Sequence, residues 1–328
     1  WEAKNVLLII QLSDGTTGLG EAAPFPAVSG ETQEGTLDCL SRISQYIIGK
    51  NVYEWETLAA FIRKQEPGFP SACCAVEMAM LDALTRYKKI PLYRFFGGAG
   101  TVLKTDMTIT AGNIEHAASS AKAIVNRGIG TIKIKTSGQD IDFDVKRVLA
   151  IHTAAPHASL IIDGNCGYSA ESALQFVRQL SSSGIHPVLL EQPLPREDLG
   201  GMARLVKESG LCIAADESAR SEEDVLNLIR EKAAHVINIK LMKCGVSEAL
   251  KMIDAAQKAG LDLMIGGMVE SILAMTFSAH LAAGKGNFKF VDLDTPMFIK
   301  SHPFKGGFTQ SGELLTLDKE GVGHGVCL

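Results

Sequence analysis

The chain has 328 residues, is 46% hydrophobic and 21% charged, and carries a formal net charge of −5 at pH 7. This composition predicts a mildly acidic globular protein that can bury one large core or two unequal ones. Lysine and arginine form no basic cluster, and apolar runs such as residues 6–10 are too short to span a bilayer, so we expect neither nucleic-acid binding nor membrane insertion. Seven scattered cysteines without a Cys-x-x-Cys pair predict reduced thiols in a cytoplasmic protein, and neither a disulfide framework nor a zinc site.

The N-terminal part of the chain predicts a small α+β domain at residues 1–98. An apolar strand at 6–12 runs into the turn signal Ser13-Asp14-Gly15 and returns at 16–21 as a hairpin. Residues 24–30 are a predicted loop, and helical patterns follow at 31–48, 54–64 and 71–88. The chain starts at Trp1 without a Met, and we expect it to begin inside a longer natural chain.

From about residue 103 the pattern becomes a repeat of short apolar strand, turn, amphipathic helix and glycine. Eight candidate strands lie at 102–109, 131–136, 160–163, 187–191, 212–216, 235–240, 262–266 and 288–292. Candidate helix N-caps are Ser169, Ser221 and Ser247, and the glycines just after last turns are Gly128, Gly184, Gly210, Gly260 and Gly284. Eight such units predict an α/β fold, a parallel (β/α)8-type barrel over residues 99–299, with its site at the C-terminal ends of the strands.

Lys133 and Lys135 share one face of the second predicted barrel strand, in the alternating segment 131–136. Two ammonium groups about 7 Å apart along a strand repel each other, which favours the neutral, basic form of one of them. The alternative is an exposed strand edge protected by lysines. The residues at the ends of the following strands favour the interpretation that one of these lysines acts as a base.

An ionisable residue ends five successive predicted strands, at intervals of 24 to 28 residues: Lys135, Asp163, Glu191, Asp216 and Lys240. A single carboxylate after a strand is usually a helix cap or a turn former. Three converging carboxylates repel one another unless a cation lies among them, and oxygen ligands favour a hard divalent ion such as Mg²⁺. The pattern therefore predicts a magnesium site at the mouth of the barrel.

Lys135 and Lys240 are four strands apart in an eight-stranded ring, so they face each other across the predicted mouth. A substrate carbon between them can lose a proton to one lysine and receive a proton from the other. The metal would stabilise the negative charge on a carboxylate oxygen when the adjacent carbon is deprotonated. We expect Lys133 to favour the neutral base and to steady the resulting enolate.

Five motifs together resemble the enolase superfamily, in its muconate lactonizing enzyme subgroup: Lys133-Ile-Lys135, Asp163-Gly-Asn165, Glu191-Gln-Pro193, Ala215-Asp-Glu-Ser218 and Asn238-Ile-Lys240. Sites of that superfamily are known to use a lysine or histidine base with Mg²⁺. The resemblance covers nearly the whole chain. It implies a modified (β/α)8 (TIM) barrel with an α+β capping domain, which a tail at about 300–328 completes. It also implies that a first strand and a mobile loop precede Trp1.

Asp292 and Asp294 place two carboxylates on one face of the eighth predicted strand, where they are suited to hold an ammonium group. An Asp-rich turn before Pro296 is the alternative. The pattern is similar to that of dipeptide epimerases, as are residues 264–271 and 105–108. The resemblance implies these roles: Lys135, Lys240 and Lys133 in catalysis; Asp163, Glu191 and Asp216 on Mg²⁺; Asp292, Asp294, Met268 and Thr108 on the substrate; Asn165 and Glu217 behind them, with Glu217 paired with Lys240.

The resulting hypothesis is a Mg²⁺-dependent epimerase that inverts the α-carbon of the C-terminal residue of a dipeptide by 1,1-proton transfer through an enediolate. Dipeptides such as Ala-Glu, from peptidoglycan turnover, are the leading substrates. An N-acylamino acid racemase, an o-succinylbenzoate synthase or a muconate cycloisomerase would keep the site, but their substrates offer no cation to Asp292 and Asp294. A Schiff-base aldolase and a binding protein without turnover are alternatives from other classes. A homo-oligomer is left open.

Overall fold

A computed structural model describes residues 2–110 and 112–328; Trp1, the first residue of the predicted capping domain, lies outside them. The capping domain begins with the predicted antiparallel hairpin of β1 (Val6–Gln11) and β2 (Thr17–Ala22). Its helices are α1 (Pro26–Ser29), α2 (Gln33–Ile47), α3 (Trp55–Gln65), α4 (Pro70–Tyr87) and α5 (Leu92–Phe95), with a 3₁₀ turn at Val52–Glu54. The predicted loop at 24–30 contains the short helix α1, which Pro26 starts and Gly30, at φ 77°, ends.

Strand β2 packs directly on helix α4. A Cβ atom added at Gly18 would lie 2.1 Å from the carbonyl oxygen of Ala79, and one added at Gly20 would lie 1.9 Å from that of Ala75. The two glycines therefore let the backbones of strand and helix approach closely. Almost all of α4 is buried, because it lies between the hairpin and the barrel.

The barrel is preceded by β3 (Val102–Lys104), which belongs to a different sheet. Eight parallel strands follow in chain order: β4 (Met107–Ile109), β5 (Thr131–Lys135), β6 (Ser159–Asp163), β7 (Leu189–Glu191), β8 (Ile213–Ala215), β9 (Val236–Ile239), β10 (Asp262–Ile265) and β11 (Phe288–Val291). The prediction of one strand at 102–109 is wrong. The chain changes sheets at Thr105 and Asp106, whose amides donate to Glu313 O (2.8 Å) and Val291 O (2.9 Å).

The barrel helices are α6 (Ile114–Asn126), α7 (Ile141–Ala154), α8 (Ala170–Ser182), α9 (Leu199–Glu208), α10 (Glu222–Glu231), α11 (Leu241–Lys258) and α12 (Ile272–Lys285). Ser169 and Ser221 are N-caps, as predicted. Helix α11 is interrupted at Gly245 (φ 72°), so Ser247 begins its second part, where its amide donates to Glu77 (2.7 Å).

Gly284 was expected to follow the last turn of its helix, and this prediction is wrong. Helix α12 continues to Lys285 and ends at Gly286, which adopts the left-handed conformation with φ 78°. Gly284 is needed for a different reason: a Cβ there would lie 2.4 Å from the carbonyl oxygen of Tyr93. It allows the capping domain and the barrel to pack closely.

The tail returns to the rest of the fold through β12 (Lys305–Gly306), β13 (Thr309–Ser311), β14 (Leu314–Thr316) and β15 (Val326–Cys327). Strand β14 pairs antiparallel with both β13 and β3. The amide of His324 donates to Asp82 Oδ1 (2.9 Å), and Arg86 donates to Val326 O (2.7 Å), so the tail is fastened to α4. Within residues 2–110 and 112–328, no helix has the length and apolar character that a membrane span requires.

Candidate active site

The predicted ionisable residues meet at the C-terminal ends of the barrel strands. Lys135, Asp163 and Glu191 are the last residues of β5, β6 and β7, and the strand register pairs Lys135 with Asp163 and Asp163 with Glu191. Asp216 and Lys240 come directly after β8 and β9, one residue beyond the strand ends. Their order around the ring follows from eight parallel strands in sequence order.

A cavity of about 920 Å³ opens at this end of the barrel. Nine predicted site residues line it: Lys135, Lys240, Asp216, Asp292, Asp294, Met268, Thr108, Asn165 and Glu217. The other three, Lys133, Asp163 and Glu191, are fully buried behind the lining. Phe25 and Val28, near helix α1, also line the cavity, so the capping domain contributes to its wall.

Lys133 lies among three carboxylates. Its Nζ atom is 3.0 Å from Asp163 Oδ2, 2.8 Å from Glu191 Oε2 and 2.7 Å from Asp292 Oδ2. Burial disfavours its charge, but attraction by these carboxylates outweighs burial and raises the pKa of Lys133 well above its ordinary value. Lys133 is therefore a fixed cation behind the cavity.

Lys135 shares a partner with Lys133. Its Nζ lies 2.7 Å from the same Oδ2 atom of Asp163. The two side chains differ in access, since that of Lys135 is 32% exposed and that of Lys133 is 0% exposed. Only Lys135 of this pair can reach a molecule in the cavity.

Lys240 and Lys243 hold opposite oxygens of Asp216. Lys240 Nζ is 2.6 Å from Oδ2, and Lys243 Nζ contacts Oδ1. Burial opposes the charge of Lys240, but the attraction of Asp216 outweighs burial and raises the pKa of Lys240. For Asp216 burial acts to raise the pKa, but the two lysines outweigh burial and lower the pKa of Asp216 well below its usual range. The predicted pairing of Lys240 with Glu217 is wrong, because Lys240 pairs with Asp216 and, among the described residues, forms no ion pair with Glu217.

The predicted metal ligands provide only carboxylate oxygens and are almost fully buried. Burial, reinforced by Asp163, raises the pKa of Glu191 to about 7, whereas Lys133 and Lys135 overcome burial at Asp163 and lower its pKa to about 2. Glu191 Oε2 is ion-paired with Lys133 Nζ at 2.8 Å, and its other oxygen, Oε1, accepts from Asn238 Nδ2 (2.8 Å). Three buried carboxylates and no nitrogen or sulfur donor form a ligand set that fits a hard cation such as Mg²⁺.

A second carboxylate group lies where β11 meets β4. Asp106, Asp292 and Asp294 place ligand atoms within 4.8 Å of one another, and they are the one such set within residues 2–110 and 112–328. Burial and then Asp292 raise the pKa of Asp294 to about 6, and burial with both neighbours raises that of Asp106 well above its usual range. Lys133 overcomes burial at Asp292 and lowers its pKa. Asp294 accepts from the amide of Thr108 (2.7 Å), and among the residues that the structure describes, neither carboxylate oxygen of Asp106 has a hydrogen-bond partner. This group is suited to bind a cation.

Two family matches together cover nearly the whole chain. Residues 1–97 match the N-terminal domain of mandelate racemase and muconate lactonizing enzyme, and residues 116–328 match the enolase C-terminal domain-like family. The chain belongs to the enolase superfamily.

Relatives within the enolase superfamily are similar over almost their full length. An aromatic dipeptide epimerase of Herpetosiphon aurantiacus is 60% identical over 326 residues, which cover 99% of this chain and 91% of that protein. An L-Ala-D/L-Glu epimerase of Thermotoga maritima is 38% identical, with 95% of this chain and 90% of that protein covered. The crystal structure of a dipeptide epimerase from Enterococcus faecalis V583, complexed with Mg and the dipeptide L-Leu-L-Tyr, is 33% identical, with a TM-score of 0.94 and 99% and 92% coverage.

Several site residues of this enolase-superfamily chain were missed by sequence reasoning. Lys243 lies one helical turn after Lys240, and Asp106 lies inside a segment that was predicted to be a single strand. Gln192 accepts from the amides of Asp216 (2.9 Å) and Ser218 (3.1 Å), and Asn238 donates to Glu191 Oε1 (2.8 Å). Both amide side chains stand in motifs that carried the family resemblance, which is the signal that could have identified them.

Strained backbone surrounds two of the predicted ligands. Asn165, Cys166 and Gln192 have φ angles of 42°, 61° and 32°. The loops after β6 and β7 hold these residues in place, because Cys166 N donates to Gln192 O (2.8 Å) and Asn165 N donates to Asp163 Oδ1 (3.1 Å). Such strain is retained where the surrounding structure requires it, often at functional sites.

Proposed function

We propose that the protein is a Mg²⁺-dependent dipeptide epimerase that inverts the α-carbon of the C-terminal residue by 1,1-proton transfer. The observation that carries the proposal is one cavity lined by Lys135 and Lys240, from strands four apart, and by the Asp292 and Asp294 carboxylates. Two lysines on different sides suit proton removal and return. A pair of buried carboxylates suits the free ammonium group of a dipeptide.

Asp163, Glu191 and Asp216 would hold the metal. Their position at neighbouring strand ends, their burial and their purely carboxylate ligand atoms support that assignment. When bound, Mg²⁺ supplies positive charge that stabilises a developing negative charge on the substrate carboxylate.

The lysines would perform the proton transfers. One of Lys135 and Lys240, in its neutral form, takes the α-proton at Nζ, and the other, in its ammonium form, returns a proton to the opposite face of the resulting enediolate. Lys133, fully buried and held by three carboxylates, keeps a fixed positive charge behind the reacting carbon. Asn165 and Glu217 lie in the cavity wall near these groups.

Asp292 and Asp294 would orient the substrate through its N-terminal ammonium group. Asp294 is aligned by the amide of Thr108, and Met268 is held by Thr295, whose hydroxyl donates to Met268 O (2.9 Å). An acylated or dianionic substrate would bring no cation to these carboxylates. This requirement favours a dipeptide over the substrates of the racemase, synthase and cycloisomerase alternatives.

The relatives support a dipeptide and widen the choice of side chain. They include proteins described as aromatic, hydrophobic and L-Ala-D/L-Glu epimerases. Ala-Glu is the leading candidate from the sequence, and we propose to test it beside aromatic dipeptides.

We also propose that the capping domain spans residues 1–98 and the barrel residues 99–299, and that the tail at about 300–328 completes the capping domain. The seven free cysteines support a cytoplasmic location, which we propose as well.

The test is proton exchange at the α-carbon. The protein is incubated in D₂O with Mg²⁺ and a panel that contains L-Ala-L-Glu, L-Ala-L-Phe and N-succinyl amino acids, and the α-proton signals are followed by NMR. We expect loss of the signal of the C-terminal residue in one or more free-amine dipeptides. Exchange in N-succinyl amino acids alone would contradict the proposal, and trapping by borohydride without a need for metal would favour the aldolase.

A further inference from the structure

Glu21 connects the capping domain to a loop that forms part of the cavity wall. We call residues 266–271, between β10 and α12, the pocket loop; its Gly267, Met268 and Val269 line the cavity. Glu21 lies on β2 of the capping domain and is 2% exposed. Its carboxylate reaches across the domain boundary to the end of the pocket loop.

Every hydrogen bond of Glu21 comes from a neutral donor. Oε1 accepts from Ser271 N (2.9 Å) and Asn5 Nδ2 (2.6 Å), and Oε2 accepts from Ser271 Oγ (2.5 Å) and Ala274 N (3.1 Å). Two of these donors are free amides in the first turn of α12, which attract a negative charge. The carboxylate therefore caps a barrel helix from another domain.

Asn5 extends the connection to the cavity wall itself. The Nδ2 group that donates to Glu21 also donates to Val269 O (2.8 Å). Within the loop, Glu270 Oε1 accepts from Met268 N (2.7 Å). The capping domain therefore holds the pocket loop at two residues, at Val269 through Asn5 and at Ser271 through Glu21, while Glu270 fixes Met268 from within the loop.

We propose that Glu21 is a positioning residue for substrate selection: by holding Ser271 and, through Asn5, Val269, it makes the shape of the pocket loop depend on the docked capping domain. The selection part of this inference rests on the proposed dipeptide epimerase function. The positioning part rests on the contacts alone.

Glu31 offers a matched control. It is also a capping-domain carboxylate that is 2% exposed, and it accepts from Ser71 Oγ (2.8 Å) and Ser71 N (3.1 Å) at the start of α4. Its helix partner belongs to the capping domain, and Glu31 and Ser71 do not line the cavity. Glu21→Gln and Glu31→Gln each place an NH₂ donor against other donors, so both should destabilise the protein to a similar degree.

The first measurement needs no substrate. Hydrogen–deuterium exchange, read by mass spectrometry on the full chain, should show faster exchange of amides in residues 268–274 in Glu21→Gln. Glu31→Gln should instead affect amides near Ser71. Ser271→Ala removes the hydroxyl that donates to Glu21 and also the N-cap oxygen that accepts from Leu273 N (3.1 Å), so it should speed exchange at the start of α12 as well. Unchanged exchange at 268–274 in Glu21→Gln would overturn the positioning role.

The second measurement is kinetic. Glu21→Gln should raise KM for the best dipeptide about tenfold, because a loosened pocket loop must be ordered when the substrate binds, with kcat changed less than KM. Glu21→Gln should also bring the kcat/KM values of two dipeptides with different C-terminal side chains closer together. Glu31→Gln should change neither KM nor this discrimination. Equal kinetic effects of both variants would overturn the selection role. If the wild-type protein turns over no dipeptide, the proposed function fails, and the exchange experiment decides the positioning role independently.

Discussion

Lys240 Nζ lies 2.6 Å from Asp216 Oδ2, and Lys243 contacts the other oxygen of the same carboxylate. On the opposite side of the site, Lys135 and Lys133 share Oδ2 of Asp163. Each lysine assigned to proton transfer is therefore accompanied by a second lysine on the same carboxylate. Removal of Lys240 or Lys135 leaves that carboxylate paired, so a loss of activity can be separated from a loss of folding.

Lys135→Ala and Lys240→Ala are each expected to abolish epimerisation while the melting temperature stays close to that of the wild type. If one variant still exchanges the α-proton of one epimer in D₂O, the remaining lysine serves that face of the carbon. NMR of both epimers, with circular dichroism for folding, makes the measurement. Lys289→Ala, which removes an exposed lysine paired with Asp262, is the control. Full epimerisation in either active-site variant would contradict the assignment.

Removal of metal with EDTA should abolish epimerisation, and Mg²⁺ should restore it. Glu191→Gln should weaken Mg²⁺ binding by an order of magnitude or more, because it removes one ligand charge from a carboxylate site. Isothermal titration calorimetry measures this without substrate. Glu313→Gln is a control, since Glu313 accepts from Gly130 N (3.0 Å) before the start of β5, away from the strand C-termini. Equal Mg²⁺ affinity in both variants would refute the ligand role of Glu191.

Asp294→Asn should raise KM for a free-amine dipeptide about tenfold, since it removes a charge-assisted hydrogen bond to the ammonium group. An N-acetylated dipeptide, which lacks that charge, should bind equally to the variant and the wild type. Steady-state kinetics and competition binding measure the two effects. Asp292→Asn should also weaken binding, but it removes a partner of Lys133 at 2.7 Å and is the less selective test. Equal losses for both ligands would point to a structural role for Asp294.

The protein should lose stability as the pH falls below about 6.5. His280 is buried, its Nδ1 accepts from Tyr93 N (3.0 Å), and burial with His324 nearby lowers its pKa from 6.5 to about 3. The folded protein keeps His280 neutral in this range whereas the unfolded chain binds a proton, so acid favours unfolding, by about 1 kcal/mol per pH unit.

The substitution His280→Asn is the matched test of this pH dependence. His280→Asn retains an oxygen that can accept from Tyr93 N but does not titrate. Urea unfolding at about pH 5 and about pH 7 should show a smaller difference in His280→Asn than in the wild type. An identical difference would assign the acid sensitivity to other groups.

Local patterns predicted those parts of the fold that depend on neighbouring residues. The alternation in 131–136 and the apolar run at 160–163 gave strands that match β5 and β6 closely. The single strand expected at 102–109 failed because its division depends on β14, which is more than 200 residues later in the chain. The family resemblance was confirmed because it used several strand ends at once.

The individual pairings in the site were harder to predict. Asp216 and Glu217 are adjacent, and only the path of the backbone after β8 decides which of them meets Lys240. Lys243 reaches Asp216 from the first turn of α11, a contact between a helix and the loop after β8 that no spacing in the sequence indicates. Asp106 lies in the segment 105–108 that resembled dipeptide epimerases, but its role depends on Asp292 and Asp294, which are more than 180 residues later in the chain.

The barrel closes between β4 and β11 by isolated contacts. In the part of the chain that the structure describes, Asp106 N donates to Val291 O (2.9 Å) and Leu293 N donates to Thr105 Oγ1 (3.0 Å), while the other strand neighbours are joined by ladders. Asp106 stands on one side of this seam, and Asp292 and Asp294 stand on the other. A substrate ammonium group bound among them would add contacts across the seam, so the dipeptide would strengthen the barrel where the barrel's own hydrogen bonds are fewest.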